Sequence, residues 1–400
     1  MSSSHVNSCS LFVTGMFRSG TTMLARMIAA HDEIAFASDP FATIFKSIRN
    51  SVANDSQIEL DVESPLADYY YQPDGIQLLN SIRECSLADL GPECDMATLA
   101  MKIAEASLPY SPDLSPHLSR INGDSFQDVL SHGLRLIHEV YGSHNTSITG
   151  FKEVWSTEFI PSFLRAFPQS RAICLVRDPR AVYLSKWKQK KRYPLLFMAR
   201  QWRKLAALSW LCSQDPTLGG RVMIMRYEDL VTNPERAVDE LASFVGVDDA
   251  CSMADPEKWS DGGGGSWRQN TSFGSGAKGF DSNAVNRWIS SLPEADARLI
   301  ESICSPEMHL FGYEPLHEPW SSCQGELNSP SQVPPDRLAN WIAPYVDETR
   351  SGLAGSYLLE WTRWKFLTST ASCEEQIQSL LSLSPEIFAI CRSTIKGKIL

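Results

Sequence analysis

The sequence predicts an α/β fold: a P-loop-type central parallel β-sheet flanked by helices, with a helical and loop insertion and a C-terminal helical extension. Three observations predict it. The stretch Leu11 to Ala30, LFVTGMFRSGTTMLARMIAA, passes from an apolar run through a glycine-bounded loop into apolar residues at helical spacing. Further on, apolar runs of strand length alternate with helix-length segments, as parallel strands and their crossover helices do. The run Ala172 to Val176 is apolar throughout, as a strand covered on both faces is.

The first of these stretches carries the most chemistry. Ser10 to Thr14 reads as a strand, Gly15 to Gly20 as a tight loop, and Met23, Leu24, Met27 and Ile28 as one face of a helix. A strand, a Gly-x4-Gly loop and a helix make a phosphate cradle. Loop N–H groups point at the anion, and the positive end of the helix dipole lies beneath it. The bland reading is glycines placed for turn geometry alone, and the hydroxyls and cation of R-S-G-T-T weigh against it. A Walker A motif would follow the second glycine with Lys and Ser/Thr. Here Thr22 holds the Ser/Thr position, Thr21 holds the lysine position, and the cation, Arg18, lies inside the loop. The residue that reaches the β- and γ-phosphates of a nucleoside triphosphate is missing, which points to a different phosphate-bearing donor.

Ile34 and Phe36 suggest a second strand ending at Ser38-Asp39-Pro40. Asp39 reads equally as a chemical group at a strand end and as a turn-forming Asp-Pro pair. Residues from about 45 to 145 form an insertion, with three tyrosines at Tyr69 to Tyr71, that reads as an acceptor-side cap. Within it, Phe126, Val129, Leu130, Leu134, Ile137 and Val140 share one face of an amphipathic helix over 124–141. SITGFK, residues 147–152, is a short strand ending in Lys152, with a helix after it around 157–166. The buried strand ending at Val176 gives way to Arg177-Asp178-Pro179, with Pro in the first turn of a helix. Ser185 lies eight residues beyond Arg177, so a cation at a strand end and a hydroxyl two turns on can meet one phosphate. A basic run follows (Lys186, Lys188, Lys190, Lys191, Arg192), whose plain reading is a solvated helix face. Leu195 to Leu211 is helical, Val222 to Met225 is a strand, and Asn233-Pro234 opens a helix to about Val245.

In such sheets ligands sit outside the carboxyl ends of the strands. Arg18, Asp39, Lys152 and Arg177 all lie at or just past such ends. Residues 256–280 are glycine-rich and read as a lid, with Arg268 and Lys278 as its clear cations. Helices follow at 284–290 and 293–304, then a Pro/Ser-rich linker at 318–335. Residues 336–400 look helical, RLANWIAPYV included, and carry no assignable chemistry. They are candidates for docking on the core, for contact with a partner, or for homo-oligomer formation.

The totals set outer bounds. Four hundred residues allow two domains at roughly 150 residues each. A net charge of −11 makes a poor nucleic-acid binder, so no nucleic-acid partner is expected. No apolar run approaches the roughly 18 residues of a membrane span. The polar start MSSSHVNSCS leaves no room for a signal peptide. Ten scattered cysteines without a C-x-x-C pair read as reduced thiols. Together these features give the expectation of a cytoplasmic protein without a membrane anchor and without a metal site.

With these residues in place, the chain resembles the sulfotransferases that use 3′-phosphoadenosine-5′-phosphosulfate, over roughly residues 10–315. GMFRSGTT resembles their 5′-phosphosulfate loop, with Arg18 as loop cation and Ser19, Gly20, Thr21 and Thr22 as phosphate donors. RDPRAVYLS resembles their 3′-phosphate motif, which puts Arg177 and Ser185 on that phosphate. RYEDLVTNPERA resembles the next segment, with Tyr227 at a cofactor-contacting tyrosine. The late loop resembles the one that closes on the nucleotide, with Lys278 and, within a residue or two, Ser266. The motif pattern is nearest the tyrosylprotein branch. There the base lies 21 residues after the loop Arg, which here is Asp39, where the branch has Glu. A transition-state lysine lies 25 residues before the 3′-phosphate Arg, which here is Lys152. The cytosolic branch uses a His base, and His117 and His132 of the insertion stay open for that role.

The resemblance implies in-line sulfuryl transfer to a small-molecule hydroxyl or amine in secondary metabolism, leaving adenosine 3′,5′-bisphosphate. Two rivals stand beside it. A P-loop kinase would use Asp178 as its magnesium carboxylate. A non-catalytic nucleotide-binding module would keep the cradle alone.

Overall fold

A computed structural model describes residues 9–66, 73–261, 265–267, 279–320, 333–334, 336–345, 350–370 and 372–399. In chain order the elements begin β1 (Cys9–Gly15), α1 (Thr21–Ala29), β2 (Ile34–Ser38), α2 (Ala42–Asp55), α3 (Pro73–Glu84), α4 (Met96–Ser107), α5 (Ser115–Leu118) and α6 (Phe126–Tyr141). The middle of the chain forms β3 (Ile148–Lys152), α7 (Ile160–Ala166), β4 (Arg171–Val176), α8 (Pro179–Trp187), α9 (Leu195–Gln214) and β5 (Val222–Arg226). Then come α10 (Tyr227–Thr232), α11 (Pro234–Val245), α12 (Cys251–Ala254), α13 (Asn283–Ser291) and α14 (Glu294–Met308). The last helices are α15 (Arg350–Thr368), α16 (Glu375–Ser382) and α17 (Pro385–Ile399).

The five strands form one sheet in the order β2-β3-β1-β4-β5, and every pairing is parallel. Register aligns the carboxyl ends: Ser38 pairs with Lys152, Val13 with Lys152, Gly15 with Leu175, and Val176 with Arg226. Residues just past Gly15, Ser38 and Lys152 therefore emerge along one edge. The expected α/β fold is the fold observed.

By contact the chain divides into two compact units. One draws on Met1–Leu66, Leu78–Val176 and Cys212–Ser282, and the other on Ala67–Gln77, Arg177–Leu211 and Asn283–Leu400. The first unit holds the sheet. Phe12 of β1 stacks on Phe151 of β3 at 4.8 Å and on Phe45 of α2 at 5.4 Å, with Phe163 of α7 edge-on at 5.3 Å. These rings are fully buried, each contributing roughly 1.5–3 kcal/mol.

The insertion is more regular than expected. α2 buries Ile44, Phe45, Ile48 and Val52, and α4 buries Leu99, Ala100 and Ile103 under an Asp95 cap. Lys, Arg, Asn and Ser between the apolar positions dilute that periodicity in α2. Tyr69, Tyr70 and Tyr71 lie outside the described residues.

In the second unit α8 starts under Asp178, whose side chain accepts from the Arg180 N–H, with Pro179 in the first turn. The basic run is only partly solvated. Lys186 is buried with its ammonium 4.1 Å from the Tyr193 ring, and Arg192 stacks on Trp187 at 3.9 Å. RLANWIAPYV is not the expected helix. Arg192 bridges Leu338 in parallel, donating to the Arg337 carbonyl and accepting from the Ala339 N–H, and only Ala343–Tyr345 coils, as a 3-10 turn. Pro344 has no N–H to continue a helix, and Arg192 has already engaged the backbone of 337–339.

The remaining C-terminal helices dock on α9 and α14. Glu360 of α15 takes Arg200 and Arg203 of α9, and Arg363 takes Glu307 of α14. Of the linker, residues 321–332 and 335 lie outside the described set. No helix among the described residues is long and apolar enough to cross a membrane.

Candidate active site

The loop after β1 is a cradle that side chains would fill. A Cβ on Gly15 would lie 2.3 Å from the Leu175 carbonyl oxygen, and one on Gly20 would lie 2.5 Å from the Tyr227 ring. Tyr227 of α10 is thus laid against the loop. Gly20, at φ 97°, is the N-cap of α1 and supplies no side-chain acceptor to the first turn. The turn closes through Ser19 N–H to the Met16 carbonyl at 3.1 Å. The Ser19 hydroxyl is fully buried and has no hydrogen-bond partner in the structure. Buried hydroxyls are normally paired. Unspent N–H groups at a helix start and an orphaned hydroxyl beside Arg18, Thr21 and Thr22 suit an anionic phosphosulfate.

Three non-glycine residues at the ends of β1, β2 and β3 take left-handed backbone: Arg18 at φ 69°, Asp39 at 49° and Trp155 at 63°. Such conformations cost on the order of 1 kcal/mol or more and persist where surroundings over-determine them. Here the surroundings are backbone hydrogen bonds. The Asp39 N–H donates to the Lys152 carbonyl at 2.7 Å, Glu153 N–H to Val13 at 2.9 Å, and Trp155 N–H to Gly15 at 3.2 Å. The Trp155 ring meets Phe17 of the loop edge-on at 5.1 Å. Ser111 also pins the end of β2, accepting from the Ser38 N–H at 3.1 Å and donating to its carbonyl at 2.9 Å.

These bonds bring Asp39 and Lys152 together. The Lys152 ammonium, 2% exposed, is ion-paired with Asp39 Oδ2, while Asp39 keeps 12% exposure. Beside them is a residue the sequence reading missed. Glu153 is buried, and its Oε2 accepts the Phe41 N–H at 2.8 Å. Burial, then the nearby Asp39 charge, push its carboxyl well above the ordinary 4.5, against the pull of Lys152. Its one sequence signal was an acid directly following a strand-terminal lysine.

Arg177 and Ser185 belong to the second unit and are described within it. Arg177 is buried, donates to the Ala284 carbonyl at 3.0 Å and accepts the Trp202 indole N–H at 2.8 Å. Ser185 lies fully buried two turns along α8. Asp178 is engaged by the Arg180 guanidinium at 2.6 Å besides capping α8. Ser266 is exposed and forms an isolated antiparallel bridge with Ser260. Lys278 and Arg268 lie outside the described residues. His132 accepts the Asn122 N–H at 3.1 Å, and His117 sits 3.0 Å from Arg120. Each is thereby tied within the insertion.

The profile of the sulfotransferase family matches residues 10–250. The chain belongs to that family. Carbohydrate sulfotransferase 3 of Tetronarce californica is 29% identical over 170 residues, covering 36% of each chain. Carbohydrate sulfotransferase 6 of Homo sapiens is 26% identical over 178 residues, covering 37% of this chain and 42% of that one. The match spans about a third of the length of the first of these relatives. Among solved structures, the sulfotransferase domain from the Synechococcus PCC 7002 olefin synthase superposes at TM-score 0.44 with 18% identity. It covers 78% of this chain and 98% of its own.

Proposed function

We propose that this chain is an enzyme that moves a sulfuryl group from 3′-phosphoadenosine-5′-phosphosulfate to a hydroxyl or amine of a small-molecule acceptor, with Asp39 as general base. The observation that carries the reading is the pairing of Asp39 with Lys152 at adjacent strand ends, in a chain of the sulfotransferase family. The donor supplies an activated sulfuryl group on a good leaving phosphate. Arg18, Ser19, Gly20, Thr21 and Thr22 hold the 5′-phosphosulfate, with Tyr227 against the loop. Arg177 and Ser185 take the 3′-phosphate, and Ser266 and Lys278 contribute from the late loop. Asp39 accepts the acceptor's proton as the new bond forms. Lys152 exchanges Asp39 for the bridging oxygen, where it and Arg18 meet the developing charge. Loss of one such group costs on the order of 10²–10³ in rate.

Residues 10–315 carry this activity, with the insertion on the acceptor side and 336–400 as an extension. A carbohydrate hydroxyl is a second acceptor reading, favoured by the similarity to proteins named carbohydrate sulfotransferases. The free thiols among the described residues suit a reducing compartment, so the cytoplasmic, secondary-metabolic setting is retained as part of the proposal.

The test is a panel of small hydroxylated, amine and saccharide acceptors incubated with isotopically labelled donor, read by mass spectrometry for an added sulfo group. Transfer by the wild-type chain that vanishes in Asp39→Asn, with nucleotide binding intact, supports the reading. Normal turnover in Asp39→Asn removes Asp39 as base. Tight binding of adenosine 3′,5′-bisphosphate with no transfer to any acceptor supports a non-catalytic module.

A further inference from the structure

Around Asp39 the structure places more carboxylate than the reaction needs. Asp39 spends Oδ2 on Lys152, and its Oδ1 is buried with no donor from any ammonium, amide or hydroxyl. Glu153 spends Oε2 on the Phe41 N–H, two residues past Asp39 in the same turn, and its carboxyl interacts with the Asp39 charge. If both carboxyls were ionised, a buried and a mostly buried negative charge would share one ion-paired ammonium, Lys152, with Arg26 adding only a charge interaction with Asp39. A buried excess charge is expensive, and sharing a proton removes it. The protonated oxygen then becomes the donor that Asp39 Oδ1 lacks.

We infer that Asp39 and Glu153 form a carboxylate–carboxylic acid pair holding one proton, and that Glu153 is the positioning residue for Asp39. The inference rests on the reading of Asp39 as the base. Three contacts converge on the turn between β2 and α2. Lys152 holds Oδ2, the Glu153 acid holds Oδ1, and the second Glu153 oxygen holds the backbone at Phe41. The same turn carries the left-handed backbone of Asp39, held by its N–H bond to the Lys152 carbonyl. The proton stays on Glu153 throughout transfer, since Asp39 alone takes the proton of the acceptor. Among the described residues, the charged or titratable groups that interact with the pair include Lys152 from β3, Arg26 from α1 and Tyr110 from the turn after α4.

Infrared difference spectroscopy on the full chain tests this without any acceptor. A carbonyl stretch of a protonated carboxylic acid is expected at neutral pH in the wild type. It should shift on carbon-13 labelling of glutamate carboxyls and be lost in Glu153→Gln. Buried Glu307 can add a band of the same kind, so the reading is the difference between wild type and Glu153→Gln. An unchanged band in Glu153→Gln overturns the inference. Should that variant fail to fold, Asp39→Asn serves instead. Without the Asp39 charge, the glutamate band should disappear at a lower pH than in the wild type, and an identical pH overturns the pair. The two readings fail separately. A lost band together with an active Asp39→Asn keeps the pair and removes the base. An unchanged band with an inactive Asp39→Asn does the reverse.

Discussion

At Gly15 an added methyl group has nowhere to go, because it would meet a backbone oxygen of the neighbouring strand β4. At Gly20, where φ 97° already strains any side chain, it would run into the side-chain ring of Tyr227 rather than backbone. Gly15→Ala should therefore destabilise the chain by about 1–3 kcal/mol and weaken donor binding, read by denaturant titration and calorimetry. Gly20→Ala should cost measurably less in a Tyr227→Ala background than alone. Additive losses in that double-mutant cycle would mean the ring is not what the methyl meets. Arg177→Ala should weaken adenosine 3′,5′-bisphosphate while leaving adenosine 5′-phosphate unchanged. Equal losses for both nucleotides would contradict its 3′-phosphate role. The loop residues were legible because glycine spacing and a cation in a turn are local facts. Glu153 was not, since its chemistry depends on Asp39, brought beside it by pairing of β2 with β3.

At the scale of elements, the C-terminal helices are held by charge as well as apolar contact. Glu360, 1% exposed, faces Arg203 at 2% and Arg200 at 12%. Glu360→Gln leaves two buried guanidiniums without their counter-charge, which should cost about 3–5 kcal/mol. Glu294→Gln breaks an exposed i,i+4 pair with Arg298 and should stay within about 0.5 kcal/mol. Comparable losses in urea denaturation would mean the buried pair is not special. The order of strands and helices in residues 9–38 and 147–245 follows largely from hydrophobic period. The insertion is built of helices and loops as expected, though its individual helices had no readable bounds. The segment at 337–345 was misjudged, because its apolar content suggested a helix where Arg192 had already taken the backbone.

For the whole molecule, two buried carboxyls set opposite limits on stability with pH. Glu153 is raised, so its stabilising protonated form is complete below the ordinary 4.5 and is lost as pH climbs through the folded value. For Glu360, burial pushes upward, but Arg203, Arg200 and Arg363 outweigh it and hold the carboxyl below 4.5. Its contribution is present above that ordinary value and is lost as pH falls through the folded one. Thermal denaturation across pH should show both limbs, with Glu153→Gln removing the loss on raising pH above 4.5 from this source and sparing the acid one. An unchanged loss on raising pH would place the proton elsewhere.

Period, spacing and loop composition by themselves determined that this chain builds a parallel sheet with a phosphate cradle after its first strand. Those signals lie within a few residues of one another and need no partner to be read. Only the tertiary structure decided that Asp39 meets Lys152 with Glu153 buried close by, and that Tyr227 lies on Gly20. Such pairings arise from strand register and burial across more than a hundred positions in the first case. There the cost of an unpaired buried charge, not any local pattern, selects the partner.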